Sequence, residues 1–585
     1  MQVPSHDLTK QRSRDPTSRP YPPAMFVALV PRGSLTVSWS CHQTKAPVRA
    51  VSNSSSRSQP MKTESSDVQA RQAHDSVRFH KVFTSGDLIV FVVLSVLRLA
   101  ALAWFLVHWL TPAGWWHAEK LMFLGATLLL MIGLGGNQLR WASLTLMKRP
   151  VPMDPGRGLR VAAVTTCVPD LEPPEMLVPT LQALVSLDYP HDTWLLDEGD
   201  SEVLRDLCRS FAVCHFSRRG MPSYQAARGA FAACSKHGNY NAWLQEIGFE
   251  NYDILIAFDP DHVPVPEYAS AVLGFFEDPQ VAYVQAPQIY RNQSASLVAR
   301  GAAEETYAYY SATEMASYGV GETVLTGSHN AHRLSALREF GGFPDHTAED
   351  LLQTIYYRTR GWRGVYVPRV LATGLAPEGW SEYLTQQIRW ARSVLDIKLR
   401  HLPAMRGSLS REKLIELLQG FGYLQDGLLA AGLLLWLLPL LAAGTGQKTY
   451  EHLASPSLAV LVAVLFVSDM FRQRFYLQPD TEAGIHWRAG LLRVAKWPFV
   501  WKALWLVGRN MPFAYVVTPK AKSSGTRRRL MLPHGIVVAA VSVAWAIGAI
   551  VGNVRDGSLH ILAGAIVAIS LGLILLEGAP KHGRN

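Results

Sequence analysis

Asp253-Ile254-Leu255-Ile256-Ala257-Phe258-Asp259-Pro260-Asp261 is the stretch on which the fold turns. Its apolar run predicts a strong strand, and the two carboxylates that follow, two residues apart on extended chain, point to the same side. Working outward, Leu159–Val168 is rich in Val and Thr and reads as a second buried strand. Met176–Leu187 has helical spacing, Thr193–Leu196 is a short strand, a helix follows near Glu202–Phe211, and Val213–Phe216 is a further strand. This alternation predicts an α/β domain with a largely parallel sheet. Ligands of open sheets bind beyond the carboxyl ends of the strands, and Asp197 and Asp259 each follow a strand end.

On either side of this region the texture changes. Windows near Leu88–Leu110, Lys120–Leu139, Gly427–Gly444, Ser457–Met470, Gly535–Gly552 and Leu559–Leu576 are nearly charge-free. Crossing a hydrocarbon core takes about 20 mostly apolar residues. Five windows approach or reach that length, and Ser457–Met470 does so only with its flanks, so about six spans are expected. The 585-residue chain carries a net charge of +10. Arg and Lys cluster at Arg78–Lys81, Arg140–Arg149, Arg472–Arg474, Lys520–Arg529 and Lys581–Arg584, whereas the short loops on the opposite side are poor in them. Positive-inside topology accounts for the charge better than nucleic-acid binding does, and places both termini and the large domain in the cytoplasm. The five cysteines include no CxxC pair, so a zinc site is not expected.

Three groups carry candidate chemistry, and each has a plainer alternative. Asp259 and Asp261 could share a divalent cation, or one could hold the cation and the other a sugar; the alternative is an Asp- and Pro-rich surface loop. Glu349 and Asp350 open a helical stretch, where acids are often caps that interact with the helix dipole. Gln386, Arg389 and Trp390 share one helix face, suited to a diphosphate and a stacked sugar ring, or to a snorkelling interfacial helix.

Taken in order, these elements resemble the D, DxD, TED and QxxRW series of the processive family-2 glycosyltransferases, with the cellulose synthases as the nearest type. Asp197-Glu198-Gly199 stands where that family has DDG, and Lys236 through Asn241 is similar to its KAGNxN. Tyr515 through Lys520 resembles its FxVTxK gating loop, and the likeness runs from about Val161 to Lys520. The resemblance implies a GT-A type α/β glycosyltransferase domain inserted between transmembrane helices. It implies that Asp197 contacts the nucleotide base, with Glu172 a second acid on the nucleotide side. Lys236 lies near the UDP phosphates, Asp259 faces UDP, and Asp261 faces the diphosphate and its metal, Mg2+ or Mn2+. Asp350 is the general base, Arg389 offsets charge on departing UDP, Trp390 flanks the acceptor, and Gln386 belongs to the same catalytic motif. Thr518 and Lys520 cover the phosphates.

The implied partners are a UDP-sugar, a growing polysaccharide, membrane lipids and optionally an accessory export subunit, with no nucleic acid. UDP-glucose polymerised into a β-glucan and translocated is the leading expectation. UDP-N-acetylglucosamine polymerisation and non-processive transfer to a lipid acceptor are the alternatives. The expected location is the inner or plasma membrane, multi-pass, with the catalytic domain cytoplasmic. The expected organisation is a disordered tail over 1–84, a transmembrane hairpin over 85–142 and the catalytic domain over 143–405. Residues 406–585 supply further spans, an interfacial helix near Trp487–Arg509 and the gating-like loop at 512–530. Met61 is an alternative start, and no C-terminal cyclic-dinucleotide control domain is expected. Against the family pattern, TYNE is reduced to Asp170-Leu171-Glu172-Pro173, DDG becomes DEG and TED becomes AED. His329 is either an acceptor contact or a structural histidine.

Overall fold

The computed structural model describes residues 77–111, 119–169, 171–404, 422–511, 527–554 and 556–578. A seven-stranded sheet forms the centre of the aqueous domain. Its strands are β1 Val161–Cys167, β2 Asp192–Asp197, β3 Cys214–Phe216, β4 Ile254–Phe258, β5 Val281–Gln285, β6 Asn330–Arg333 and β7 Arg363–Tyr366. Their order is β7-β5-β6-β4-β1-β2-β3, and only β6 runs against the rest. The register sets Thr165 opposite Phe258 and Cys167 opposite Asp197, so the ends of β1, β2 and β4 form one edge.

Alternation along β4 divides the core. Leu255 and Ala257 pack with Trp194, Tyr240 and Trp243 on one face. Ile254, Ile256 and Phe258 pack with Tyr268, Val272 and Leu273 on the other. Burial on both faces explains why these strands are continuously apolar.

The first membrane helix, Ser85–Leu110, starts at a capping box in which Thr84 and Asp87 exchange hydrogen bonds. Five helices among the described residues are long and apolar enough to cross a membrane: Ser85–Leu110, Lys120–Leu146, Gly422–Ala443, Leu530–Val551 and Gly557–Leu575. The sixth expected span takes a different form. Ser457–Met470 falls within Pro456–Phe475, which forms a pair with Gln447–Leu453 bent by 50°. A count of six holds only if that pair is one span.

The helix Trp487–Gly508 has the expected position but different surroundings. Lys496, within the segment expected to lie at the interface, is buried and paired with Glu305 at 2.8 Å. Arg488 pairs with Glu304 at 2.8 Å. Both acids lie on Leu297–Ala308 of the aqueous domain, so this helix docks the domain onto the membrane half. Trp487 and Trp505 remain exposed.

Arg98 is buried, donating to Asn137 Oδ1 at 2.6 Å and Gln138 Oε1 at 3.1 Å, with its guanidinium over Trp141. It therefore ties the two hairpin helices together and does not snorkel.

Close helix contact sets a further constraint. A Cβ on Gly548 would lie 1.9 Å from the Leu441 carbonyl oxygen, whereas one on Gly535 of the same helix meets nothing within 4 Å. Gly548→Ala is expected to cost about 1–3 kcal/mol and lower the unfolding temperature in detergent. Gly535→Ala is expected to leave it unchanged or raise it.

Candidate active site

The sheet edge gathers carboxylates around one ammonium group. Asp259 directly follows β4, and its N–H donates to Ser328 Oγ at 3.0 Å. Lys236 opens the helix Lys236–Trp243, capped by Ser235. Its Nζ donates to Asp259 Oδ1 and to the Gly327 carbonyl, both at 2.6 Å, and lies 3.8 Å from Glu349 Oε1. One side chain thus joins the DxD segment, the loop before β6 and the start of the helix Glu349–Thr359.

Asp350 is the second residue of that helix, and its Oδ1 accepts the Leu351 N–H at 2.8 Å. The loop passes so close that a Cβ on Gly327 would lie 3.4 Å from Asp350 Oδ2, and Gly327 holds a left-handed φ of 64°. Burial raises the Asp350 pKa to about 7, with Glu349 adding to the rise. The Leu351 N–H and Lys236 work against it. A carboxylate poised near neutrality can accept a proton at ordinary pH, a property that a helix cap does not need.

Asp261 is buried in the turn after β4, and its main-chain carbonyl accepts from Arg291 Nη1 at 3.0 Å. His262 contacts Ser328 Oγ at 3.0 Å. His329 resolves as a structural residue: it is fully buried, its Nδ1–H donates to the Pro287 carbonyl at 2.8 Å, and its ring lies against His262. Burial, with help from His262, lowers its pKa to about 3 and keeps it neutral.

On the expected nucleotide side the acids face inward. Asp197 is wholly buried and accepts from the N–H groups of Gly199 and Ser201 and from His215 Nε2. Its carboxylate shapes the loop after β2. Glu172 is also buried, its Oε2 accepting the Val168 N–H at 2.9 Å.

The DEG variant has a physical basis. Glu198 takes a bidentate pair from Arg218 at 3.0 and 2.7 Å and the Cys234 N–H at 2.9 Å. Arg218 is completely buried and also donates to the carbonyls of Tyr224 and Ala232, bracing the loop that leads to Lys236. Nothing in the sequence marked Arg218, because Arg218-Arg219 after a short strand reads as an exposed basic pair.

Gln386, Arg389 and Trp390 are half-buried on the helix Trp380–Asp396. Their neighbours fix that helix: Gln387 accepts from Lys496 Nζ at 3.3 Å, and Tyr383 donates to Glu305 at 2.6 Å. Thr347 Oγ1 and Ser393 Oγ, 2.7 Å apart, bond the turn before Asp350 to the same helix. The Asp259, Lys236 and Glu349 segments therefore meet at one edge, and the helix that carries Gln386, Arg389 and Trp390 bonds to the turn before Asp350. Thr518 and Lys520 lie outside the described residues.

A largely parallel α/β sheet with an acidic edge thus sits in a chain that also carries bilayer-length helices. The model of the glycosyl transferase family group 2 matches residues 254–573, and the chain belongs to that family. A cellulose synthase catalytic subunit (UDP-forming) of Xanthomonas axonopodis pv. citri is 27% identical over 306 residues, covering 48% of this chain and 40% of that protein. Cellulose synthase 1 of Komagataeibacter xylinus is 27% identical over 337 residues, covering 54% and 20%. The matches thus span less than half the length of either relative. Among solved structures, a mannosyltransferase from Pyrobaculum calidifontis in complex with GDP-Man and Mn2+ covers 67% of this chain and 100% of its own. It has 16% identity and a TM-score of 0.45.

The protonation of Asp350 can be tested without any substrate. Difference infrared spectroscopy is expected to show a protonated carboxyl band that disappears as pH rises through about 7 and is missing in Asp350→Asn.

Proposed function

We propose that this chain is a processive, inverting β-glycosyltransferase that polymerises UDP-glucose into a cellulose-like β-glucan and passes it across the membrane through its own helices. The observation that carries this reading is the placement of Asp350. Its pKa near 7, its contact with the Gly327 loop and the hydrogen bond from its turn to the helix that carries Gln386 to Trp390 support a base acting between donor-side and acceptor-side groups.

In this reading the acceptor hydroxyl gives its proton to Asp350 as its oxygen attacks the anomeric carbon, and UDP departs from the opposite face. One displacement without a covalent intermediate inverts the centre, so an α-linked donor yields a β linkage. Arg389 offsets the charge growing on UDP, an electrostatic contribution realised as the bond breaks. Gln386 and Trp390 hold the acceptor end, Thr518 and Lys520 cover the diphosphate, and Glu172 and Asp197 set the loops of the nucleotide pocket.

Asp259 and Asp261 suit a hard divalent cation, because oxygen donors from one or two carboxylates together with substrate phosphates satisfy Mg2+ or Mn2+. Such an ion would neutralise the diphosphate. The cellulose synthase relatives support a glucan product, and the basic clusters support a cytoplasmic catalytic domain at the inner or plasma membrane.

The test is purified full-length protein in nanodiscs with Mg2+ and single radiolabelled UDP-sugars, scored for high-molecular-weight product cut by linkage-specific hydrolases. Polymer from UDP-glucose is expected. Polymer from UDP-N-acetylglucosamine alone would reassign the donor, and transfer of single sugars to lipid would remove processivity. Asp350→Asn is expected to lose a factor of about 10²–10⁴ in rate while still binding UDP.

The base acts only when ionised, so the rate is expected to rise with pH through about 7. Lys236 lowers the Asp350 pKa, so Lys236→Met is expected to move that limb to higher pH in the activity that remains.

A further inference from the structure

Behind the catalytic turn lies a second group of ligating side chains that the proposed reaction does not use. His346, Asp396 and His401 each present a donor atom, and these atoms lie within 4.8 Å of one another. His346 precedes the Glu349-Asp350 pair, whereas Asp396 ends the helix that carries Gln386, Arg389 and Trp390. His401 closes the next turn, Ile397–His401, which is a π-helix. Regular α-helical winding would carry His401 away from Asp396. The wider π turn brings it back over the carboxylate, and single π turns recur at functional sites.

Both imidazoles converge on one carboxylate oxygen, His346 already within hydrogen-bonding reach of it, at a spacing that a metal ion between them would also take. His346 Nε2 and His401 Nε2 stand 3.4 and 3.5 Å from the same oxygen, Asp396 Oδ2. Charge-assisted N–H···O bonds close to about 2.7–2.9 Å. The edge of a tetrahedron with metal–ligand bonds of about 2.0–2.1 Å is roughly 3.3–3.4 Å. The other oxygen, Oδ1, lies 3.4 Å from Arg400 Nη1, which leaves Oδ2 turned to both imidazoles. The His346 side chain is 9% exposed, Asp396 24% and His401 36%, so the group is sheltered yet open on the His401 side.

We propose that His346, Asp396 and His401 form a binding site for a divalent transition metal of the zinc class, separate from the DxD carboxylates. Two imidazoles and one carboxylate suit zinc, and a fourth position is left for water. Magnesium, which prefers oxygen ligands and octahedral geometry, is a poor match. The metal would join the turn bearing the general base to the helix bearing the acceptor-side residues, where the Thr347–Ser393 contact already holds them together. Coordination through His346 Nε2 leaves the ring proton on Nδ1, the atom that now accepts the Ala348 N–H at 3.0 Å. Metal binding therefore exchanges that hydrogen bond for a ligand bond and adjusts the turn next to Glu349.

The test uses the full chain, purified with a histidine-free tag, stripped by chelator and titrated with Zn2+ against a fluorescent zinc indicator while Mg2+ is kept in excess. One tight equivalent is expected. It should weaken by at least roughly 100-fold in His346→Ala and in His401→Ala, since even outer-shell changes cost 10–100-fold. It should survive Asp261→Ala. Co2+ in place of zinc should give the visible absorption of a tetrahedral site, lost in Asp396→Asn. Melting without metal checks that each variant folds. No tight equivalent in folded wild-type protein, or an equivalent that withstands both histidine changes or disappears with Asp261, would overturn the proposal.

Discussion

The Lys236 ammonium is the interaction on which the catalytic edge depends. Asp259, Glu349 and Asp350 converge there, and like charges so close together resist simultaneous ionisation. Lys236 touches Asp259 directly, the Gly327 carbonyl directly and Glu349 at longer range, so one cation joins three segments distant in the chain. Burial, with Glu349 beside it, raises the Asp350 pKa to about 7, and Lys236 only partly opposes the rise. A shorter contact would hold the carboxylate ionised and make it a weaker base.

The position of Lys236 is itself supported from behind. Glu198 and Arg218 form a buried bidentate pair whose remaining donors satisfy loop carbonyls, a fully bonded arrangement of the kind that makes a buried charge tolerable. Asp197 organises the adjoining turn in the same way. These acids act on the site through backbone geometry. The change from DDG to DEG is consistent with that role, because the longer side chain spans the gap to Arg218.

A second set of buried ion pairs connects chemistry to membrane. Glu304–Arg488 and Glu305–Lys496 fasten the helix Trp487–Gly508 to the aqueous domain, and Lys496 also reaches Gln387 on the acceptor-side helix. Charges placed there are costly unless paired, so the register between the two halves is tightly specified. The helix Trp487–Gly508 and the aqueous domain are thereby held together.

Much of this was legible in the chain. The apolar run ending at Phe258, the strand–helix alternation and the charge-free windows follow local rules of periodicity and length, and the five long membrane helices sit where those rules put them. The order of acidic and aromatic motifs was equally readable, because it is written in residue identities. What the sequence could not determine is which way a polar side chain faces. Lys496 has the composition of a headgroup contact yet is buried in an ion pair, and Arg218 looks like a surface residue yet is fully enclosed. Asp197 accepts hydrogen bonds from its own loop, and Ser457–Met470 looks like a short span but belongs to a bent pair. The sequence by itself determined the elements and the chemical groups, since both depend on near neighbours. Tertiary structure alone decided partners, burial and the Asp350 proton, since these depend on charges and dielectric supplied by residues far away in the chain.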